Sequence, residues 1–525
     1  MTPRLSILYL LCLTLPFIEN ARILGVFPTP SISHQVVFRP LVHELARRGH
    51  ELFVITTDPV HPNGPGNLTE IDVHDLSYTR WNKGMSKIED GSRDVTKQME
   101  AMEQIKYEIF EEQVKSKSVQ KLLSYEHDHF DLILAEAYVG YTLGFSHVFK
   151  APVILVSSFG GVWDNYDAMG APTHPLLYPS MLRDRLNNIT MWEKIIQLKK
   201  EHKMRHLARN YEKMNKFLKK VFGAGTPPVQ KLFDNVAMLF LNVHPIWDSN
   251  RPVPPGVIYM GGLHQNPIRD LPKDVKLYLD SSKNGVIYFS LGTNVKPSHV
   301  PPEKLQAIIN GGLQSTDEAI TAGVPLIGIP LLGDQWYNVE KYVQHKIGVR
   351  IDINSLTEEM FENAIHNVIN DKSYRENIVR LRSIMQDQPQ SPLERAVWWT
   401  EHVLRHGGAR HLRSPAANIS WTQYLELELL FTLATVLILS LIILFLVIKM
   451  STHGRKEIYG TYTLLKQVDL LPLYACLLCG RGIAPIVRAV GNLTETTILA
   501  RKHCNFTKIL RVISHDLKEV IEKSA

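Results

Sequence analysis

Between Asn310 and Gln335 the chain passes from a pair of glycines through a helical stretch into a wholly apolar run, and that order admits few folds. Gly311 and Gly312 have no Cβ, so a backbone carrying them can lie close against a ligand. Ser315 and Thr316 open a helix that continues through Ala322 and ends at Gly323. Such a helix start suits an anion, because unpaired N–H groups and the positive end of the dipole face the same way. Val324 to Pro330 follows as a short strand of the parallel type. Asp334 and Gln335 lie just past it, at the carboxyl end where open α/β sheets bind ligands. A plain glycine turn before a capped helix would leave much of the same pattern, so phosphate binding is one of two readings at this stage.

The other end of the chain carries a second α/β signature. Arg22 to Phe27 reads as a strand, Phe38 to Arg48 as a helix closed by Gly49, and Glu51 to Thr56 as the next strand. Pro28 to His34 is then a loop at the carboxyl edge of a βαβ unit. His34 there is a candidate general base, since imidazole exchanges protons at neutral pH; a capping or solvent-facing histidine is the alternative. Phe130 to Glu136 is a buried strand with an acid at its carboxyl end. Asp131 stands at the opposite end, where a structural role is expected.

At 525 residues, 45% hydrophobic and 21% charged, the chain has room for two or three domains. A net charge of +6 is small for this length and argues no nucleic-acid partner. The cysteines, at 12, 476, 479 and 504, leave residues 13–475 with none to form a disulfide. Arg4 followed by the apolar Leu5 to Phe17 predicts a signal peptide over residues 1–21. Leu429 to Ile448 is a twenty-residue run without a charge, long enough to span a bilayer. Residues 449–525 carry twelve Lys/Arg against six Asp/Glu, which places this tail in the cytosol and residues 22–428 in the lumen as a type I protein. Asn67, Asn188 and Asn418 stand in lumenal glycosylation sequons. Residues 191–223 hold ten Lys/Arg against three acids, a basic helix or helix pair suited to a membrane surface or to solvent.

The full string from Asn310 to Gln335 resembles the donor signature of the membrane-bound animal UDP-glycosyltransferases. So do Ser31-x-x-His34 followed by Val-Phe-Arg-Pro-Leu, the hinge-like Tyr259-Met-Gly-Gly-Leu-His264, and the closing run from Pro392 to Leu412. The resemblance implies an α/β chain of two Rossmann-like domains facing across a cleft, the GT-B arrangement. Residues 22–245 would bind the acceptor, 246–264 link, 265–417 bind the UDP-sugar, and one transmembrane helix follow at 429–448. His34 would deprotonate the acceptor hydroxyl, oriented by Glu136 where the family has Asp. Gly292, Thr293, Asn310, Gly311, Gly312, Gln314, Ser315, Glu318, Asp334 and Gln335 would hold the UDP-sugar, with the glycines and Ser315 on the diphosphate, Glu318 on the ribose, and Asp334 and Gln335 on the sugar. The aromatic segments at 57–120 and 160–225, with Trp163, Tyr166 and Met169, fall in the half that builds the acceptor pocket. The resemblance further implies an endoplasmic reticulum membrane protein with no cofactor besides the UDP-sugar co-substrate and no metal. It implies a small lipophilic acceptor, glucose rather than glucuronic acid as the sugar, and oligomers with itself or its relatives.

Two family features are missing. Asn310 stands where the family has His, and the Trp-x-Pro-Gln segment that stacks on uracil is absent. The strand expected over Val286 to Leu291 is separated from Gly311 by too few residues for the roughly 30 of even one βαβ unit. The second domain is therefore expected to lack strands near 293–310, and the chain to bind its donor poorly. A non-catalytic membrane partner and a lipophilic-ligand receptor are the alternatives.

Overall fold

The computed structural model describes residues 20–60, 65–85, 95–124, 129–265, 270–283, 286–287, 312–331 and 333–452. They form two compact units, one ending at Asn418 and the other beginning at Ile419.

The first unit is built on a seven-stranded parallel sheet. Its strands are β1 (Arg22–Phe27), β2 (Glu51–Thr56), β3 (Leu68–Asp72), β4 (Leu132–Glu136), β5 (Val153–Ser157), β6 (Val236–Leu241) and β7 (Val257–Tyr259), in the order β3-β2-β1-β4-β5-β6-β7. Both faces are covered, as parallel sheets require. Along β4, Leu132 and Leu134 enter one apolar cluster while Ile133 and Ala135 enter the other. That division explains why these strands read as unbroken hydrophobic runs rather than as alternating ones. On one face α1 (Ile32–Arg47) supplies Val37, Phe38, Leu41 and Leu45. The other face is covered in part by Phe110 and Val114, which lie on a long helix beyond α2 (His74–Met85), namely α3 (Val95–Lys115). Residues 191–223 form a helix pair, Met191–Ala208 (α4) and Tyr211–Phe222.

Two local differences from the sequence reading have physical causes. The helix starts at Ile32, six residues early, so His34 sits in its first turn rather than in a loop. Gln35 holds that start in place by donating to Phe27 O and Thr29 O, both at 3.1 Å. The prolines at 252, 254 and 255 flank the last sheet strand instead of marking only a linker. β7 follows them and adds to the sheet edge through Leu239, Phe240 and Leu241.

The C-terminal part of the first unit contains α5 (Leu313–Ala322), β8 (Leu326–Gly328), α6 (Gln335–Gln344) and β9 (Gly348–Arg350). Among the described residues β8 and β9 are the strands of this part, paired in parallel. Residues 286 and 287 of the expected strand are not in one, and the rest of it lies outside the described residues. α7 (Pro392–Arg405) returns to the first sheet, where Ala396, Val397 and Val403 join the cluster under α1 and Glu401 pairs with Arg48 at 3.1 Å. The β8–β9 contact leaves no room for a side chain at Gly348, where a Cβ would stand 2.3 Å from Leu326 O. Gly348→Ala is expected to cost about 1–3 kcal/mol through overpacking, read as a loss of several degrees in melting temperature. An unchanged melting temperature would refute that.

The second unit contains α8 (Leu427–Thr452), in which Leu427–Lys449 is long and apolar enough to cross a membrane.

Candidate active site

β1 and β4 are neighbours, and the register that sets Val26 beside Ala135 brings the residues following each strand to one edge of the sheet. Glu136, the last residue of β4, is buried there with its side chain 1% exposed. Its Oε2 accepts from the Thr29 backbone N–H at 3.1 Å, and its Oε1 lies 2.7 Å from Nδ1 of His34. A carboxylate can only accept, so Nδ1 carries the proton and Nε2 is left with the lone pair. The Phe159 ring meets the imidazole edge-on at 5.4 Å. Two residues 102 positions apart in the chain thus form one oriented histidine–carboxylate pair. Asp131 serves instead at the start of β4, accepting from the Arg22 N–H at 2.8 Å.

His34 opens onto a cavity of about 500 Å³. It is also lined by Gly312, Leu313, Gln314, Ser315 and Glu318 at the start of α5, and by Asp334 and Gln335 at the start of α6. The helix begins at Leu313 with Gly312 as its cap, two residues before the sequence suggests. Thr316, buried, turns its hydroxyl to Gly312 O at 2.9 Å, which ties down the glycine. Gln314 donates from Nε2 to Ser33 O, linking α5 directly to α1. Asp334 accepts from Asn338 Nδ2 at 2.8 Å, and Gln335 Oε1 accepts from Leu331 N at 2.7 Å. Removal from water pushes the Asp334 carboxyl above the usual range, against the pull of the Asn338 hydrogen bond and of His34. Gly292, Thr293, Asn310 and Gly311 lie outside the described residues.

Much of the rest of the cavity is lined by residues that the sequence did not single out. They include Trp81, Met99, Met102, Tyr138 and Met181. Trp163, Tyr166 and Met169 are instead core: Trp163 donates to Glu201 at 2.9 Å, Tyr166 to Asp248 at 2.8 Å, and Met169 is 3% exposed. Lys106 was also missed. Its ammonium is buried beside the Glu103 carboxylate. Its signal was one positive charge inside an otherwise apolar helical face, which a sequence alone presents as an ordinary i,i+3 pair.

The sequons differ in their surroundings. Asn67 Nδ2, the atom a glycan would occupy, donates to Ala46 O at 2.7 Å and to His50 O at 2.6 Å, so this fold leaves it unavailable. Asn188 is exposed, and Asn418 donates to Asp234 at 2.8 Å from an exposed position.

The chain is similar to several known proteins. The sequence profile of the UDP-glucoronosyl and UDP-glucosyl transferases matches residues 22–311 and 302–460. An ecdysteroid UDP-glucosyltransferase of Spodoptera littoralis nuclear polyhedrosis virus is 33% identical over 481 residues, covering 78% of this chain and 93% of its own. UDP-glucosyltransferase 2 of Dactylopius coccus is 29% identical over 479 residues, covering 81% and 92%. Among solved structures, a UDP-glucose: anthocyanidin 3-O-glucosyltransferase in complex with UDP aligns over 74% of this chain and 100% of its own, with 15% identity and a TM-score of 0.48.

Proposed function

The chain belongs to the UDP-glycosyltransferase family, and from that premise we propose that its site is built for inverting transfer of glucose from a UDP-sugar to a small lipophilic acceptor. The observation that carries this is the His34–Glu136 pair opening onto the same cavity as the start of α5. His34 Nε2 takes the proton of the acceptor hydroxyl as its oxygen bonds to the anomeric carbon. The bond from that carbon to the diphosphate breaks, and UDP leaves with the electron pair. Glu136 stabilises the imidazolium that results. Gly312 and Ser315, at the N-terminus of α5, hold the diphosphate, where free N–H groups favour the charge of the leaving group. Glu318 takes the ribose, and Asp334 with Gln335 the sugar. Glucose is supported by the names of the relatives, and a lipophilic acceptor by the methionine- and aromatic-lined wall.

The same reading places the body in the endoplasmic reticulum lumen, anchored by α8 as a type I protein. The exposed Met191, Trp192 and Ile195 on the lysine-rich α4 support a membrane setting.

We read the second domain of this chain as lacking a block near residues 293–310. The two profile matches break and overlap at residues 302–311, where the sequence is too short for its expected strands. The alignment with the Spodoptera virus enzyme takes in 78% of 525 residues, about 410, yet runs over 481, leaving roughly 70 of its positions unmatched. These observations also favour a second reading, a family member retained as a non-catalytic membrane partner. Calorimetric titration with UDP tests the matter, on the full chain and on a version carrying a relative's block between Thr293 and Asn310. Loss of stacking, about 1–3 kcal/mol, together with a charged hydrogen bond of about 1.5–3 kcal/mol, predicts at least 50-fold tighter binding with the block present. Micromolar binding by the chain as it stands would refute the missing block as a defect.

A further inference from the structure

Resting on the acceptor side of the proposed site, we infer that Lys106 selects acceptors that carry a hydrogen-bond-accepting group, such as a ketone, at the end remote from the reacting hydroxyl. The wall around it is apolar, and a charge buried there is costly unless its hydrogen bonds are made. Lys106 is 5% exposed. It pairs with Glu103, lies 3.4 Å from Tyr138 O, and stands 4.0 Å over the Tyr138 ring. An ammonium has three donors. Glu103 takes one, the long contact to Tyr138 O is a weak second, and Lys106 is among the residues that line the cavity. Gln98, another polar side chain lining the cavity, is engaged with Leu331 O and Gly333 N.

The position relative to His34 gives the selectivity its geometry. From Nζ to the Tyr138 ring is 4.0 Å, from there to Phe159 5.1 Å, and from Phe159 to the imidazole 5.4 Å. Those steps keep Nζ within about 15 Å of the His34 ring, a span that three or four fused rings can bridge. A rigid skeleton with its hydroxyl at Nε2 would bring a polar group at its far end to Lys106. Tyr138 and Phe159 would lie along its length. An acceptor lacking that group would leave the third N–H of Lys106 unsatisfied, and a hydrogen bond to a charged group contributes about 1.5–3 kcal/mol.

Equilibrium binding of two radiolabelled probes to the full chain in nanodiscs tests this without turnover. Androsterone has a hydroxyl at one end and a ketone at the other; 5α-androstan-3α-ol lacks the ketone. The chain should prefer androsterone by about 10-fold or more. Lys106→Arg should keep a preference, and the paired change Lys106→Met with Glu103→Gln should abolish it while both sterols still bind. The double change leaves no unpaired charge, and a thermal melt reports its folding. Equal affinity of the unsubstituted chain for the two sterols overturns the role of Lys106 and leaves the acceptor pocket standing. So does a preference that survives the double change. Failure of both sterols to bind the unsubstituted chain overturns the pocket reading and this inference together.

Discussion

His34→Ala, made in the chain with its donor block restored, is expected to slow glucosyl transfer by about 10²–10⁴-fold while UDP binding stays unchanged. The imidazole lines the cavity beside the α5 start without being one of the residues assigned to the diphosphate, so its loss removes a proton acceptor and not a phosphate contact. Glu136→Gln is the more informative companion. The Thr29 N–H is a fixed donor 3.1 Å from one carboxylate oxygen, so an amide at this position keeps its oxygen there. Its NH₂ then faces Nδ1 of His34, reverses the tautomer and puts the proton on Nε2. A histidine protonated at Nε2 cannot accept from the acceptor hydroxyl, and the expected loss approaches that of removing the ring. Glu136→Asp keeps the charge and shortens the reach by one methylene, so a smaller loss should follow. Rates within tenfold of the unsubstituted enzyme for both His34→Ala and Glu136→Gln would rule out this pair as the acid–base machinery.

That pair was legible in the sequence because it depends on strand ends. A buried run ending in Glu136 and another ending at Phe27 have to bring their following residues to the same edge if the sheet is parallel and the strands are neighbours. The early start of α1 was not legible. Ser31-Ile-Ser-His34 lacks helical periodicity, and the turn is held by Gln35 reaching back to Phe27 and Thr29. The cavity wall was illegible for another reason. α3 buries apolar residues on two sides, with Ile105 and Ile109 against Trp81 and Met85, and Tyr107 and Phe110 in the main core. No single stripe then marks the residues that face a ligand. Trp163, Tyr166 and Met169 have the composition of a binding surface but are held inside by Glu201, Asp248 and close packing. Asn67 shows the same limit for a modification motif, because the sequon says nothing about the two carbonyls that occupy its amide.

Asp317→Asn is expected to stabilise the first unit, and more strongly at pH 8 than at pH 5. Asp317 lies on α5 among Leu313, Thr316 and Ile320, and its Oδ2 has no hydrogen-bond partner among the described residues. Burial, with a smaller contribution from the charge of Glu318, pushes its carboxyl up to about 8. A carboxyl that holds its proton more tightly when folded than when unfolded makes folding take up a proton between the usual carboxylate range and pH 8. Stability is therefore greatest below that range and falls as pH rises through the folded value. At pH 7 the penalty amounts to about 4 kcal/mol, since each unit of displacement is worth about 1.4 kcal/mol. Asparagine carries no charge at any pH and should remove the pH-dependent part, raising the melting temperature by about 5 °C at neutral pH. A buried carboxylate oxygen with no partner among the described residues is what a missing neighbouring strand would leave behind. If the absent block supplies that partner, the gain from Asp317→Asn shrinks once the block is restored. A melting temperature for Asp317→Asn that tracks the unsubstituted chain from pH 5 to pH 8 would show that this carboxyl is not destabilised by burial.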